Sequence, residues 1–294
     1  MSYPLVFIHE GNQEYLKFAI KSAVDQNHEV FLLGNDLNKT FCENWISIDT
    51  FNILKFDKFK EVYEHMSSNN EIFELLCFKR YFILLEFMEK SKLDEVIMLD
   101  SDVLVYTDFS DYNLKNYSVA LSIHENQDNY RWSCSPHCSY WTISALRDFI
   151  NFCIMTYSNN KKVLHRKYIY HKKNNIKGGI CDMTLLYLWS KDKSNVLNLS
   201  QRYNFGTIDK TISSSENYYK NEYKTWKLLK LKKIKYNNEM GYYITSRSGE
   251  KVKAHIIHCQ GAAKNLIEAI YNKNILKVKL KRIEYLIKKV INLC

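Results

Sequence analysis

The chain has few residues that break regular structure, with only 2 Pro and 8 Gly among 294 residues. This excludes collagen-like repeats and Pro/Gly-rich low-complexity disorder as the main architecture. Long apolar runs are missing too. No stretch reaches the roughly 18 uninterrupted apolar residues of a membrane-spanning helix, and Met1 to His9 lacks a basic region leading into a long apolar segment. The expected location is therefore the cytoplasm. Cysteines stand at 42, 77, 134, 138, 153, 181, 259 and 294 and never form a CxxC pair, which argues against a zinc ribbon or a small disulfide framework. Most are expected to be buried, reduced thiols. The one close group, Cys134, His137 and Cys138, lacks a second pair at zinc-site spacing.

What is present is an ordinary globular balance, 46% hydrophobic and 25% charged, in a chain long enough for one large domain or two small ones. The net charge of +10 favours anionic partners without choosing among nucleotides, phospholipid headgroups and nucleic acid. The positive charge gathers at 161–177 and in the C-terminal tail rather than interleaving with aromatics along one motif. No nucleic-acid partner is expected from that pattern.

Short apolar runs ending in turn residues alternate with helical spacing near the N-terminus. Leu5–His9 stops at Glu10-Gly11-Asn12, and Tyr15, Phe18, Ala19, Ser22 and Ala23 then follow at three-to-four spacing. Val30–Leu33 ends at Gly34-Asn35-Asp36, and Trp45–Ile48 reads as a third strand. The order predicts an α/β fold in which a mixed, mainly parallel sheet is flanked by helices. Ile72–Met88 places Phe73, Leu76, Cys77, Tyr81, Leu84, Leu85 and Met88 on one face of a long amphipathic helix. Further on, Val119–Ile123 reads as a strand, 144–157 as a helix, 159–177 as a polar loop or insert, and 182–189 as a helix after Gly178-Gly179. Residues 201–243 show no clear period, and 254–258 is a last short strand.

The most informative strand is Val96–Leu99, followed at once by Asp100-Ser101-Asp102. Two carboxylates at the end of a buried strand are costly unless a cation neutralises them, and a divalent metal carrying a diphosphate meets that need. Two further strings stand in order around them: Phe78-Lys79-Arg80-Tyr81 before, and His258-Cys-Gln-Gly261-Ala-Ala-Lys264, of the form HxxGxxK, near the C-terminus. Over residues 1–265 this set resembles the nucleotide-sugar-dependent glycosyltransferases of the GT-A (Rossmann-like) fold. It looks most like glycosyltransferase family 8 and related bacterial surface-polysaccharide enzymes. Family 8 continues HxxGxxK with Pro and Trp, where this chain has Asn265 and Leu266.

The resemblance implies a hexosyltransferase, retaining rather than inverting, that uses Mn²⁺ (or Mg²⁺) and a UDP-linked glucose or galactose. The acceptor would be a glycan or lipid-linked glycan. Asp100, Asp102 and His258 would hold the metal, with Ser101, Gly261 and Lys264 against the diphosphate. The imidazole shifts the preference toward Mn²⁺, and Lys264 places positive charge where the leaving group forms. Arg80 would grip phosphate or donor sugar through its fork, unless a buried ion pair claims it. His9, Gly11 and Asn12, at the carboxyl end of the first strand, are candidates for base and ribose, with Asp36 a weaker one; His9 is otherwise a hydrogen-bonded strand-end histidine. Asp182 either faces sugar or acceptor, with a role in catalysis, or caps its helix. Residues 266–294 form a separate basic segment, with Leu276, Leu280, Ile283, Ile287 and Val290 along one helical stripe and Lys277, Lys279, Lys281, Arg282, Lys288 and Lys289 around it. Such a helix lies on an anionic membrane, packs on the domain, or makes a homodimer contact. The rival readings are a non-catalytic nucleotide- or glycan-binding protein of the same fold and, from the charge of +10 with abundant Tyr and Lys, a nucleic-acid-binding protein.

Overall fold

A computed structural model describes residues 3–203, 206–217, 222–226 and 230–291. In chain order the strands are β1 (Leu5–His9), β2 (Val30–Gly34), β3 (Asn44–Ser47), β4 (Glu95–Leu99), β5 (Val103–Val105), β6 (Val119–Ile123), β7 (Cys134–Thr142), β8 (Val196–Asn198), β9 (Gly206–Ile208), β10 (Thr225–Trp226), β11 (Leu231–Lys232), β12 (Ile234–Asn237), β13 (Gly241–Thr245) and β14 (Lys251–His258). The helices are α1 (Tyr15–Val24), α2 (Leu54–Val62), α3 (Glu71–Ser91), α4 (Ile143–Asn159), α5 (Lys161–Lys173), α6 (Asp182–Ser190), α7 (Ile267–Tyr271) and α8 (Ile275–Ile291).

Seven strands form the main sheet in the order β3-β2-β1-β4-β7-β6-β8, and only β7 runs against its neighbours. The sheet is thus mixed and mainly parallel. Its strands bury apolar side chains on both faces: Val6, Met98 and Trp141 join one cluster, and Leu5, Phe7, Ile97 and Leu99 the other. A smaller sheet, β12-β13-β14-β5 with β9 beside β14, covers a third cluster with α7. Its decisive contact is the antiparallel ladder in which His258 pairs with Val103.

Helix α3 starts where Asn70 Oδ1 accepts the Phe73 N–H at 3.3 Å, with Glu71 and Glu74 in its first turn, and ends at Lys92 in the left-handed region, φ 54°. It departs from the one-sided stripe expected of it. Phe78, Phe82, Ile83 and Phe87 are buried as well, because Phe87 meets Phe31 of the sheet while Phe78 meets Phe59 of α2. Its N-terminal Ile72, Phe73 and Leu76 remain exposed.

Two regions correct the sequence reading. Residues 161–173, expected as loop, are helix α5, whose inward side is Leu164, Lys167 and His171. Polar side chains on that side satisfy backbone carbonyls instead of filling an apolar core. Residues 201–243 contain β9 to β12 and the start of β13, strands too short to show a period. Cys134 and Cys138 lie in β7 and enter clusters on opposite faces of the main sheet, so they do not converge. The seven described cysteines are free thiols.

Candidate active site

The carboxyl ends of β1 and β4 open into a cleft of about 920 Å³. Ligands of open α/β sheets sit at this edge because the strand ends and following loops leave a crevice there. Asp100 and Asp102 leave β4 directly into it. The β5–β14 ladder brings His258 beside them, and Cys259 N–H donates to the Asp102 carbonyl at 2.9 Å. Ligating atoms of Asp100, Asp102 and His258 all lie within 4.8 Å of one another, the one such cluster of three among the described residues.

The tautomer of His258 matters. Its Nδ1–H donates to the Lys210 carbonyl at 2.5 Å, so a neutral ring presents a bare Nε2 to Asp102 Oδ1 at 3.3 Å. Two lone pairs facing across that gap need a proton or a cation between them. Burial alone pushes His258 down, but the hydrogen bond and charge of Asp102 outweigh it and the net shift is upward. Burial likewise pushes Asp102 up, yet His258 and Lys264 hold it well below the usual carboxylate range. Lys264 Nζ stands 3.4 Å from Asp102 Oδ2 and lies over the Tyr15 ring. Two carboxylates and one imidazole nitrogen are a fitting donor set for Mn²⁺ or Mg²⁺. His137 stacks flat on His258 at 4.6 Å, and its Nε2 reaches the Asp209 carbonyl at 3.1 Å. Asp209 in turn pairs with Lys232, both fully buried.

Arg80 joins the two acidic parts of the site. From α3 its Nη1 donates to Asp100 Oδ1 at 2.6 Å and its Nη2 to Asp182 Oδ2 at 2.5 Å. Burial lowers the guanidinium pKa, but Tyr81, Asp100 and Asp182 more than reverse this, so it stays charged. The ion pair weighed against a phosphate grip is the contact present. Asp182 is the first residue of α6, whose cap is Cys181. Its Oδ1 accepts the Met183 N–H at 2.8 Å, and its Oδ2 also accepts from the Tyr81 hydroxyl at 3.0 Å.

The other expected residues divide. His9, Ser101, Gly261 and Lys264 line the cleft, whereas Gly11, Asn12 and Asp36 are not among the described lining residues. Asn12 and Asp36 are exposed. The Gly11 turn is instead tied back by two asparagines: its N–H donates to Asn35 Oδ1, and Asn38 Nδ2 donates to the carbonyls of His9 and Gly11. Asn38 fits because Gly34 has no Cβ, which would lie 2.0 Å from its Oδ1. His9 bonds Gln13 at 2.5 Å, so the strand-end reading of this histidine is realised while the ring still faces the cleft. Gly261, at φ +61°, opens the 3₁₀ turn Gly261–Leu266 with open space where a side chain would project.

Sequence reasoning missed several residues. Buried Glu74 accepts from Ser67 and Asn69 at the cleft wall, and burial raises its pKa. Tyr81 and Arg80 share one string, but only the fold shows both aimed at Asp182. His124, Arg131, Ser135 and Lys210 line the far end and belong to no recognisable motif.

The sequence matches no protein-family model and no curated protein. Solved structures similar to the chain include the glycosyltransferase GlyE of Streptococcus pneumoniae, at 16% identity and TM-score 0.36. That match covers 70% of this chain and 47% of GlyE, so the chain spans about half the length of that protein. The galactosyltransferase LgtC, solved with donor and acceptor sugar analogs, is 15% identical over 66% of this chain and 72% of its own, TM-score 0.40. A glycosyltransferase involved in glycosylation of the major capsid of PBCV-1 is 10% identical over 91% of this chain and 98% of its own, TM-score 0.43. Likeness at this level assigns no role to any residue, and the chemistry has to come from the side chains.

Proposed function

We propose that the protein is a metal-dependent glycosyltransferase that moves a hexose from a nucleotide sugar, UDP-glucose or UDP-galactose, to a glycan or glycolipid of a surface polysaccharide. The observation that carries this is the convergence of ligating atoms of Asp100, Asp102 and His258 within 4.8 Å of one another, beside Lys264, at the carboxyl end of β4. A divalent ion held there supplies neutralisation of the charge that develops on a departing diphosphate. Lys264 adds a fixed cation to the same leaving group, and the open space where a Gly261 side chain would project lets a phosphate approach the backbone of that turn. Ser101 borders the phosphates, and His9 the base or ribose.

Arg80 acts by position in this reading. It clamps Asp100 toward the metal and Asp182 toward the sugar, so one cation sets two carboxylates. Both oxygens of Asp182 are engaged by Met183, Arg80 and Tyr81, which favours retention, with the departing phosphate taking the acceptor proton. Gly11 contributes through the shape of the first turn, which Asn35 and Asn38 tie back.

The catalytic unit is residues 1–265, and 266–294 is an accessory segment. No helix of the described residues is long and apolar enough to cross a membrane. Helix α8 nonetheless turns Leu276, Leu280, Ile283 and Ile287 to solvent, and we assign that stripe to peripheral contact with anionic lipid at the cytoplasmic face, with a homodimer as the competing occupant. Lys277 and Lys281 are spent on Glu268 of α7 at 3.0 and 3.1 Å, and exposed Lys279, whose Nζ lies over the Trp226 ring, is the described α8 lysine we assign to meet lipid. The side chains of Lys288, Lys289 and Val290 lie outside the described residues.

A panel of UDP-, GDP-, CMP- and dTDP-sugars, each with Mn²⁺ and with EDTA, tests the reading. The expected result is a metal-dependent rise in melting temperature and sugar release for one nucleotide, both lost in Asp102→Ala. No shift and no release with any of them overturns it.

A further inference from the structure

The donor reading leaves one end of the cleft without a task. Along the sheet edge the order runs from His9 on β1, through Asp100 and Asp102 after β4, to Ser135 at the start of β7 and His124 after β6. Neighbouring strands are about 4.8 Å apart, which puts the end of β6 roughly 10 Å beyond the carboxylates. A diphosphate at the acids and its hexose fill that span, and an acceptor begins where they stop.

The chemistry at that end is cationic and built. His124 Nδ1 accepts the Asn126 N–H at 3.0 Å, so the proton of its neutral ring sits on Nε2, which faces Arg131 Nη1. Both groups are donors, and an anionic oxygen seated against them accepts from both. The recorded contact of the Arg131 guanidinium is with the His124 ring rather than a carboxylate, while Lys210, on the same wall, shares Glu216 at 3.2 Å.

The loop that presents Arg131 is fixed from two sides. Gln127 donates to the carbonyls of His124 and Ser133 and accepts the Ser133 N–H. Buried Lys167 of α5 donates to the Arg131 and Trp132 carbonyls at 3.0 and 3.4 Å and to Thr184 Oγ1 at 2.7 Å, and His171 reaches the Tyr130 carbonyl. Asn129, Tyr130 and Trp132 all hold positive φ, 52°, 56° and 37°. Three strained residues persist only where surrounding contacts over-determine them, and such strain concentrates at ligand clamps.

We infer that His124, Arg131 and Lys210 bind an oxyanion of the acceptor, so the acceptor is an acidic glycan bearing a carboxylate or a phosphate. The inference rests on the glycosyltransferase reading and gives it a substrate class. Steady-state transfer by the full chain, using the donor found in the nucleotide-sugar panel, tests it with methyl β-glucuronide, glucose 1-phosphate and methyl β-glucoside as acceptors. Donor hydrolysis without acceptor is followed in parallel. The expected KM for at least one acidic acceptor is tenfold or more below that of the neutral glucoside, and the better of the two tells carboxylate from phosphate. Arg131→Gln removes that preference and Arg131→Lys restores part of it, with donor KM shifted less than twofold. Equal KM for all three acceptors alongside normal hydrolysis overturns the inference and leaves the glycosyltransferase reading standing. A rise confined to donor KM in Arg131→Gln also overturns it, by giving the cluster to the donor phosphates. Absence of both hydrolysis and nucleotide binding overturns the two together.

Discussion

Helices α3 and α8 carry the two long apolar stripes of the chain, and they use them in opposite ways. In α3 apolar residues surround the axis, and from Phe78 to Met88 nearly all are buried, so the helix is a beam through the core that holds Arg80 and Tyr81 in the site. In α8 the buried side is Val278 and Arg282, while Leu276, Leu280, Ile283 and Ile287 are turned outward. A stripe thus declares that a helix has a face and says nothing about where the face points. Direction is set by what the neighbouring elements offer. The sheet and α2 offer α3 aromatic surface on both sides, whereas α7 offers α8 a carboxylate, Glu268, that captures Lys277 and Lys281.

The largest effect that separates the two helices is expected at the charge α3 delivers. Arg80→Ala leaves Asp100 and Asp182 without their shared cation, and sugar transfer should fall about a thousandfold, some 4 kcal/mol of transition-state stabilisation. Steady-state kinetics checks this, and activity within tenfold of wild type would break the positioning role. Next comes the same residue type on each helix. Leu84→Ala empties a fully buried position and should cost about 3 kcal/mol in a urea titration, whereas Leu280→Ala should stay within about 0.5 kcal/mol. Equal costs would mean that the α8 stripe is covered in solution. Tyr81→Phe removes one hydrogen bond to Asp182 and should cost about 1 kcal/mol, read as a few-fold lower kcat with unchanged donor KM. The smallest change in stability is expected for Leu280→Glu with Ile283→Glu. That double variant should melt like the wild type yet lose sedimentation with phosphatidylglycerol vesicles, and pure phosphatidylcholine vesicles should bind neither protein. If the wild type does not sediment but elutes as a dimer that the variant dissociates, the stripe belongs to a second copy.

Legibility followed locality. The strands β1, β2 and β4 were readable because each is an apolar run cut by Glu, Gly, Asn or Asp, and the carboxylates of the site follow β4 within three residues. Strand β7 was not. Cys134-Ser-Pro-His-Cys-Ser-Tyr-Trp-Thr142 is too polar for a buried run, and it becomes a central strand because its polar atoms find partners: Ser135 with His137, Ser139 with Trp141 Nε1, and Tyr140 with Glu95. Helix α5 escaped for the same reason, since Lys167 is buried on the strength of two loop carbonyls and a threonine that no local pattern reveals.

The sequence by itself determined the alternation of strand and helix, the paired acids at a strand end, and the histidine that ends β14 with the glycine and lysine after it, because apolar periodicity and turn chemistry act between near neighbours. Tertiary structure alone decided that Asp102 meets His258, through a ladder between β5 and β14, and that Arg80 spends its fork on two carboxylates. It also decided that His124 and Arg131 meet at the far end of the cleft, and that α8 keeps its apolar stripe outside. Those outcomes depend on which distant groups satisfy one another's hydrogen bonds and burial, and that balance is struck only when the whole chain is folded.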